Sequence, residues 1–251
     1  MPLTLRKIRT KTVLVAVAEV LLVALGVGLA FWVEAWQSNR ADRELEREYL
    51  ALLHADFSRT QRSLGQAVNT MDQTQGAVRW LLEASDRNLV EVNPDSTRSA
   101  IIEAFMSSYA RPVETALTDM KESGHYGLIQ NDSLRYLLAA WEADVAFLDQ
   151  MGEKDRDHWI MGIEPWVRDH LLMSEVTPNY RGFEFPGDPG SADLRWVVSD
   201  PGFLRLISLR IVEARDLQIA YERLVSATEG IMEQLEESLP ALEGLGESDD
   251  L

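Results

Sequence analysis

The chain has 251 residues, of which 46% are hydrophobic and 26% charged, proportions typical of a folded protein. Residues 1–12 carry four basic side chains and no acid, whereas residues 37–251 hold 20 Lys and Arg against 39 Asp and Glu, a net charge near −19. Such an acidic domain repels phosphate backbones and argues against nucleic acid as a partner. The absence of cysteine excludes disulfides, thiolate catalysis and Cys-based metal sites.

The first predicted element is a transmembrane helix over residues 13–36. Its apolar part reads VLVAVAEVLLVALGVGLAFWV, which is 21 residues with one charge. At about 1.5 Å per residue, this stretch covers the roughly 30 Å hydrocarbon core of a bilayer. Its Leu, Val and Phe residues favour insertion by about 4–8 kcal/mol, more than the roughly 2.5–3.5 kcal/mol that one acid costs at the centre. Trp32 and Trp36 are predicted to lie at the far membrane interface.

A cleaved signal peptide is the alternative interpretation, with Gly28-Leu29-Ala30 as the cleavage site. The apolar run is longer than the usual 7–15 residues or so of a signal peptide, and it contains a carboxylate. The helical pattern also continues beyond Trp36 without a break. The sequence therefore favours an uncleaved anchor.

The distribution of basic residues predicts the orientation of the anchor. Four basic side chains precede it, although three arginines also follow it closely, so the bias is modest. The predicted topology is a cytoplasmic tail over residues 1–12 and an extracytoplasmic domain over residues 37–239. That domain lies in the periplasm of a cell that has one, and the anchor lies in the plasma (inner) membrane.

Glu19 lies within the predicted anchor, on a helix face of mostly small residues. This face repeats at spacings of three and four and consists of Ala16, Glu19, Val23, Gly26 and Ala30. Gly26 and Ala30 fit the small-xxx-small pattern of closely packed membrane helices. A helix–helix contact that includes a hydrogen-bonded Glu19 is favoured. Solvation of Glu19 by lipid headgroups and a proton-relay role are the alternatives.

The soluble part begins with a predicted helix over residues 37–72, continuous with the anchor, and a shorter apolar stretch over residues 78–82. Residues 88–97 are predicted to connect it to a helix that ends near Met106. Asp95 or Ser96 is the predicted cap of that helix. A further short helix is predicted to begin at Arg111-Pro112 and to end at Gly124.

A long helical pattern occupies residues 131–172, and Gly162 and Pro165 are predicted to kink or divide it. Residues 174–199, rich in Pro, Gly and aromatic side chains, predict an ordered surface loop with a short strand at residues 195–198.

Asp200-Pro201 is predicted to open the last helix, with Pro at its first position. This helix carries a heptad seam that lines either a bundle within the domain, which is the favoured outcome, or a contact between two chains. The seam consists of Ile207, Ile211, Ala214, Gln218, Tyr221, Val225, Thr228, Met232, Leu235 and Leu239. Residues 240–251 are predicted to be an acidic, disordered tail.

No sequence motif for catalysis is present: there is no HExxH, GxSxG, phosphate-binding loop or GxGxxG. The four histidines are predicted to lie at the surface or at its boundary, so neither a metal nor a cofactor is expected. The long loop is the candidate binding region, because long ordered loops often bind ligands. Its candidate residues are Tyr180, Arg181, Phe183 and Phe185.

Two stretches resemble a family of uncharacterised bacterial single-pass membrane proteins with a helical extramembrane domain. They are AEVLLVALGVGLAFWVEAWQSNR, residues 18–40, and ALTDMKESGHYGLIQNDSLRYLL, residues 116–138. This chain has VEAWQ where that family has a Trp-Asn exit from the membrane. The resemblance implies topology and compartment and supplies no activity.

The predicted fold is all-α: one transmembrane helix followed by an antiparallel helical bundle with a long ordered loop. The leading hypothesis is a non-enzymatic interaction protein of the cell envelope, whose partners are the lipid bilayer and a second copy or another membrane protein. The alternatives are a ligand-sensing domain that acts through a partner's membrane helix, an auxiliary subunit of an ion- or proton-driven complex and, last, an anchored hydrolase.

Overall fold

The computed structural model describes residues 4–87, 90–107, 109–177, 179–180, 182–185 and 192–247, without the side chains of residues 4–18, 179, 180, 183 and 240–247. The predicted all-helical class is confirmed, apart from one pair of two-residue strands. Three long helices dominate the described chain: α1 (Thr4–Ser85), α4 (Asp132–His158) and α7 (Pro201–Glu247).

The shorter elements lie between these three helices. Along the chain they are α2 (Pro94–Phe105), α3 (Thr115–Glu122), a 3₁₀ turn (His125–Leu128), a π-helical turn (Trp159–Ile163), α5 (Glu164–His170), α6 (Met173–Val176), β1 (Asn179–Tyr180), β2 (Phe183–Glu184) and a second 3₁₀ helix (Leu194–Ser199). The two strands pair antiparallel, and Gly182 in the turn between them has a φ of 88°. That left-handed backbone favours glycine.

Helix α7 packs antiparallel against both α1 and α4. Toward its start, Gln218 donates to Asp72 of α1 at 2.7 Å, and further along, Met232 contacts Ser58 of α1. The contacts with α4 also run in opposite chain directions. Arg210, near the start of α7, pairs with Asp155 near the end of α4, and Gln234, near the end of α7, bonds Asn131 at the start of α4. The heptad seam predicted for α7 therefore faces the other two long helices, and every seam residue is buried or half-buried.

The apolar interior is divided into two parts along the bundle. The proximal core lies nearer to the apolar start of α1 and is formed by α1, α3, α4 and α7; its largest members include Leu53, Phe57, Leu64, Met71, Leu138, Trp141, Tyr221 and Leu235. The distal core surrounds the end of α1 and is formed with α2, α5, the second 3₁₀ helix and the start of α7. It includes Val78, Leu81, Ile101, Ala104, Ile163, Trp166, Val197, Val198 and Phe203.

The first half of the chain differs from the prediction at three helix boundaries. Helix α1 does not end near residue 72 but continues to Ser85. Asn93, and not Asp95 or Ser96, caps α2, because its side chain accepts from the Ser96 amide at 3.0 Å. Helix α3 begins at Thr115 instead of at Arg111-Pro112, while Gly124 adopts the predicted left-handed conformation after it, with a φ of 79°.

The second half also departs from the prediction. The pattern over residues 131–172 is interrupted at the π-helical turn beside Gly162 and Pro165, as predicted. The expected strand at residues 195–198 is a 3₁₀ helix instead, because Asp193 caps it at the Arg195 amide and Leu194, Val197 and Val198 turn into the distal core. Helix α7 continues through Pro240 to Glu247, since proline's fixed φ is compatible with a helix at the loss of one hydrogen bond.

Candidate functional site

A π-helical turn follows α4 where the sequence predicts a kink. Pro165 has no amide hydrogen to bond to Met161, one turn back, and the helix widens over Trp159–Ile163. Gly162 lies against α7: a Cβ there would come within 3.3 Å of the Leu206 side chain and 3.5 Å of the His158 ring. In this widened turn the Trp159 side chain points away from the core. Its ring contacts Phe105 edge-on, with 5.9 Å between the ring centroids.

The end of α2 is fixed opposite this turn. Thr74 of α1 is fully buried, and its hydroxyl donates to the carbonyl oxygens of Glu103 and Met106 at 3.2 and 3.1 Å. Helix α2 ends there because Met106 adopts an extended backbone. The chain then leaves toward Ser107.

An open cavity of about 450 Å³ lies between the end of α2, the π-helical turn and α6. We call it the distal pocket; its lining residues are Ile102, Phe105, Met106, Ser107, Trp159, Met173, Val176 and Thr177. Most of these side chains are apolar, with two hydroxyls among them. Its volume lies within the range of small-molecule sites, about 300–1,000 Å³. Trp159, Met106 and Met173 remain 36–46% exposed at its rim.

A buried ion pair stands directly behind the pocket wall. Arg210 of α7 pairs with Asp155 of α4, and both side chains are less than 10% exposed. The Ser107 hydroxyl donates to Asp155 Oδ2 at 2.6 Å. The Nε and Nη2 atoms of Arg210 donate to the carbonyl oxygens of Ala104 (3.3 Å) and Met106 (2.8 Å). The pair therefore holds the end of α2 against α4 and α7 through charged hydrogen bonds.

His158 lies one helical turn after Asp155 on α4 and faces Glu213 of α7, with 3.5 Å between His158 Nδ1 and Glu213 Oε2. Burial and, to a smaller extent, the Asp155 carboxylate raise the pKa of Glu213 to about 7 against the opposing effect of Arg210. Burial and the Arg210 guanidinium lower the pKa of His158. His158 Nε2 and Glu213 Oε2 are buried without a hydrogen-bond partner.

These four titratable residues were not predicted as a site. His158, which was expected at the surface or its boundary, is half-buried, and its side chain is only 6% exposed. A signal for the pair is nevertheless present in the sequence. Asp155 lies seven residues after Leu148, on the apolar stripe of α4, and Arg210 lies between Ile207 and Ala214 on that of α7. A charge at a core position of each of two helices predicts a buried pair only when their register is known.

A second histidine, His125, belongs to a polar network near the start of the bundle. Tyr49 Oη donates to Asp119 at 3.0 Å, and both Tyr49 Oη and Ser123 Oγ lie within 3.1 Å of His125 Nδ1. In a catalytic triad, the acid orients the imidazole through the nitrogen opposite the nucleophile. Here Asp119 bonds the tyrosine instead, so the contacts are those of a structural turn.

The predicted membrane residues lie on the apolar part of α1. It is the one helix in the described part of the chain that is long and apolar enough to cross a membrane. Glu19, Val23, Gly26 and Ala30 are exposed, as are Trp32 and Trp36, while the side chain of Ala16 lies outside the described residues. The Arg40 guanidinium lies 5.8 Å from the Trp36 ring.

The four candidate residues of the long loop are only partly described. Arg181 lies outside the described residues, the strands give only the backbone of Tyr180 and Phe183, and Phe185 is half-buried. The loop is anchored at both ends by Arg98 of α2, which donates to the carbonyl oxygens of Glu175 (3.0 Å) and Ala192 (2.8 Å). Helix α6, where this loop was predicted to begin, supplies Met173 and Val176 to the distal pocket, and Thr177 follows them.

Comparisons with family models, with curated proteins and with solved structures find no match for this chain. Among the described residues, no group of three or more His, Asp and Glu side chains is placed to hold a metal ion. The site must therefore be interpreted from its own geometry.

Proposed function

We propose that this chain is a membrane-anchored interaction protein of the cell envelope. Residues 13–36 cross the inner membrane with the basic tail in the cytoplasm, and the helical domain extends outside. The anchor associates with the anchor of a second copy or with another membrane protein. The supporting observation is that a single helix, α1, runs from the apolar segment into the proximal core.

The continuity of α1 makes the anchor part of the domain. From Trp36 to Ser85 the helix extends roughly 70 Å at 1.5 Å per residue. Its first buried residue in the bundle is Glu46, whose carboxylate accepts from the Gln130 amide at 2.7 Å. An orientation fixed in the membrane is therefore transmitted to the domain without a flexible linker.

The register of α1 leaves the Glu19 face open to a partner. At about 100° per residue, Glu19, Gly26 and Ala30 lie on one side of the helix axis. The buried stripe that begins with Leu50, Leu53 and Phe57 lies roughly 170° around the axis from them. A neighbouring helix that packs on the Glu19 face therefore approaches from the side opposite the chain's own bundle.

Two glycines provide a matched test of this contact. A Cβ built at Gly26 or at Gly28 meets nothing within 4 Å, so the single chain tolerates both substitutions. Only Gly26 lies on the Glu19 face. Because the chain has no cysteine, Val23→Cys serves as a crosslinking reporter in native membranes. We expect Gly26→Leu to reduce its crosslinking severalfold and Gly28→Leu to leave it unchanged.

The reporter itself has a control on the other side of the helix. Leu25→Cys, on the opposite face, should crosslink poorly. Equal crosslinking at both cysteines, or equal effects of the two glycine variants, contradicts a specific contact through the Glu19 face.

The topology is tested separately from the contact. Tyr136 on α4 is 74% exposed, so Tyr136→Cys presents a thiol on the domain surface. A membrane-impermeant maleimide should label it in spheroplasts before lysis. Labelling only after lysis contradicts the proposed orientation.

Ligand sensing is the second candidate function, and the distal pocket is the observation that favours it. The pocket lies at the end of the domain farthest from the apolar segment. A bound ligand would act through the contact between the anchor and a partner's membrane helix. A ligand that raises the melting temperature of the intact protein and changes the Val23→Cys crosslinking supports this function.

A further inference from the structure

The distal pocket is bordered by three elements that are held in different ways. The end of α2 is fixed by Thr74 and Arg210, the π-helical turn by Pro165 and Gly162, and α6 by Arg98 through the Glu175 carbonyl oxygen. A cavity whose walls are fixed from behind keeps its shape without a ligand. Such a preformed space binds a ligand without the cost of ordering its walls.

Its chemistry is apolar, with methionine and tryptophan at the rim. Met106 and Met173 have flexible, polarizable side chains that adapt to ligands of different shapes. Trp159 is partly exposed, and its edge-on contact with Phe105 limits its movement. These residues suit an apolar chain or ring better than a polar metabolite.

Ser107 determines which polar group such a ligand can carry. Its hydroxyl hydrogen is donated to Asp155, so its oxygen retains lone pairs that accept a hydrogen bond from the ligand. The carboxylate behind it repels an anionic group. Arg210 offsets part of this repulsion, but it is buried behind the wall and each of its three nitrogens already donates to Asp155 or to a carbonyl oxygen, so it offers an anion no direct contact.

We propose that the distal pocket binds a small, uncharged amphiphile, whose apolar body lies between Phe105, Trp159 and Met173 and whose single O–H or N–H donates to Ser107 Oγ. The cavity of about 450 Å³ fits a small molecule or a short chain, not a folded partner. The proposal is independent of the anchor contact, since the pocket lies at the other end of α1.

Three indole compounds test this chemistry on the full chain in lipid nanodiscs, with empty nanodiscs as the blank. Indole carries an apolar body and one N–H, 1-methylindole has the same body without the donor, and indole-3-acetate adds a negative charge. Calorimetry should give a Kd of about 1 mM or tighter for indole. Binding should be about five- to tenfold weaker for 1-methylindole, the ratio that one hydrogen bond supplies, and weakest for indole-3-acetate.

Two variants separate the hydrogen bond from the cavity. Ser107→Ala should weaken indole to the level of 1-methylindole while 1-methylindole itself binds as before, which also shows that the pocket remains intact. Met173→Trp fills the space and should abolish binding of both compounds. Tyr136→Trp, on the exposed surface of α4, is the matched control and should change neither.

Several outcomes overturn the proposal. One is the absence of indole binding, which is also the result expected if only a partner protein's side chain occupies the pocket. Equal affinities for indole and 1-methylindole overturn the role of Ser107, and preferred binding of indole-3-acetate overturns the exclusion of anions. Unchanged binding to Met173→Trp places the ligand elsewhere.

Discussion

The proximal and distal cores share helices α1 and α7, but they differ in how the charged groups buried beside them are paired. In the proximal core, Trp141 Nε1 donates to Thr228 Oγ1 at 3.1 Å. The buried carboxylates at this end, Glu46 and Asp56, accept from the Gln130 and Ala116 amides and pair with arginines that are themselves exposed. Between the distal core and the end of α4, both members of an ion pair, Asp155 and Arg210, are buried, and His158 faces Glu213 beside them.

The difference indicates which end of the domain is adapted for more than stability. Apolar side chains of similar volume often stabilise a fold as well as a buried ion pair does, or better. A charged cluster beside an open cavity therefore suits a structure that must position the end of α2 and keep a pocket open. The proximal core, by contrast, fixes α1 in the bundle.

The largest expected effect is the loss of one partner of the buried ion pair. Asp155→Asn leaves the Arg210 guanidinium buried without a counter-charge and should lower the free energy of unfolding by about 3–5 kcal/mol. Glu142→Gln is the control, because its pair with Lys121 is exposed on both sides and should matter by less than about 1 kcal/mol. Denaturant unfolding of the full chain in detergent measures both.

A double variant decides whether the charge or the contact matters. Asp155→Leu with Arg210→Met removes both ions and should recover most of that loss. If the double variant is as unstable as Asp155→Asn, the pair is needed for its hydrogen bonds to the end of α2, and the comparison between the two cores weakens.

The substitution of methionine by alanine can be compared in the proximal core and at the distal pocket. Met71 in the proximal core is fully buried, whereas Met173 at the distal pocket is 44% exposed. Met71→Ala should cost about 2–5 kcal/mol because it leaves a cavity. Met173→Ala only widens the distal pocket, which is already open, and should lower the free energy of unfolding by less than about 1 kcal/mol. Similar losses of stability, measured by the denaturation midpoint, would show that the pocket is part of the packed core.

The smallest expected effect depends on pH. The pKa of Glu213 is about 7 in the fold against an ordinary value of 4.5. Below pH 4.5 the side chain is protonated in both states; between pH 4.5 and 7 only the unfolded state ionises, so stability is lost as pH rises and stays lost above 7. Glu213→Gln should therefore stabilise the protein at pH 8 by about 1–3 kcal/mol and have little effect near pH 4.5.

The charged neighbours of Glu213 define the control for this titration. Asp155 and Asp216 raise its pKa and Arg210 lowers it, while His158, whose pKa is lowered, stays neutral through the upper part of the window. Glu222→Gln, on an exposed part of α7, should show no pH-dependent gain. A Glu213→Gln effect that is equal at pH 5 and pH 8 would mean that the carboxyl is not protonated in the fold.

Much of the helical pattern was predictable because it depends on local chemistry and on the period of the apolar residues. Gly124 ends a helix where only a left-handed residue fits, Asp200 and Pro201 open α7, and Asp200 accepts from the Phe203 amide at 2.7 Å. The seam of α7 was visible because each of its residues returns to the same face of the helix.

The start of α3 was not predictable, because its backbone partners come from a distant part of the chain. The Val113 and Ala116 amides donate to Thr60 and Asp56 of α1, both at 2.9 Å. These hydrogen bonds hold residues 111–114 in an irregular, non-helical conformation, although Arg111-Pro112 predicts a helix start. In the same way, the distal core imposed a 3₁₀ helix on residues 194–199, whose valines favour a strand.

The sequence by itself determined the elements that one helix face or one cap specifies: the long apolar start of α1, the seam of α7 and the break beside Pro165. Only the tertiary structure decided which charges meet. Asp155 and Arg210 are 55 residues apart, and their pairing follows from the register of α4 against α7, a property of two packed helices that neither sequence segment contains. The distal pocket has the same origin, since its walls come from three separate elements.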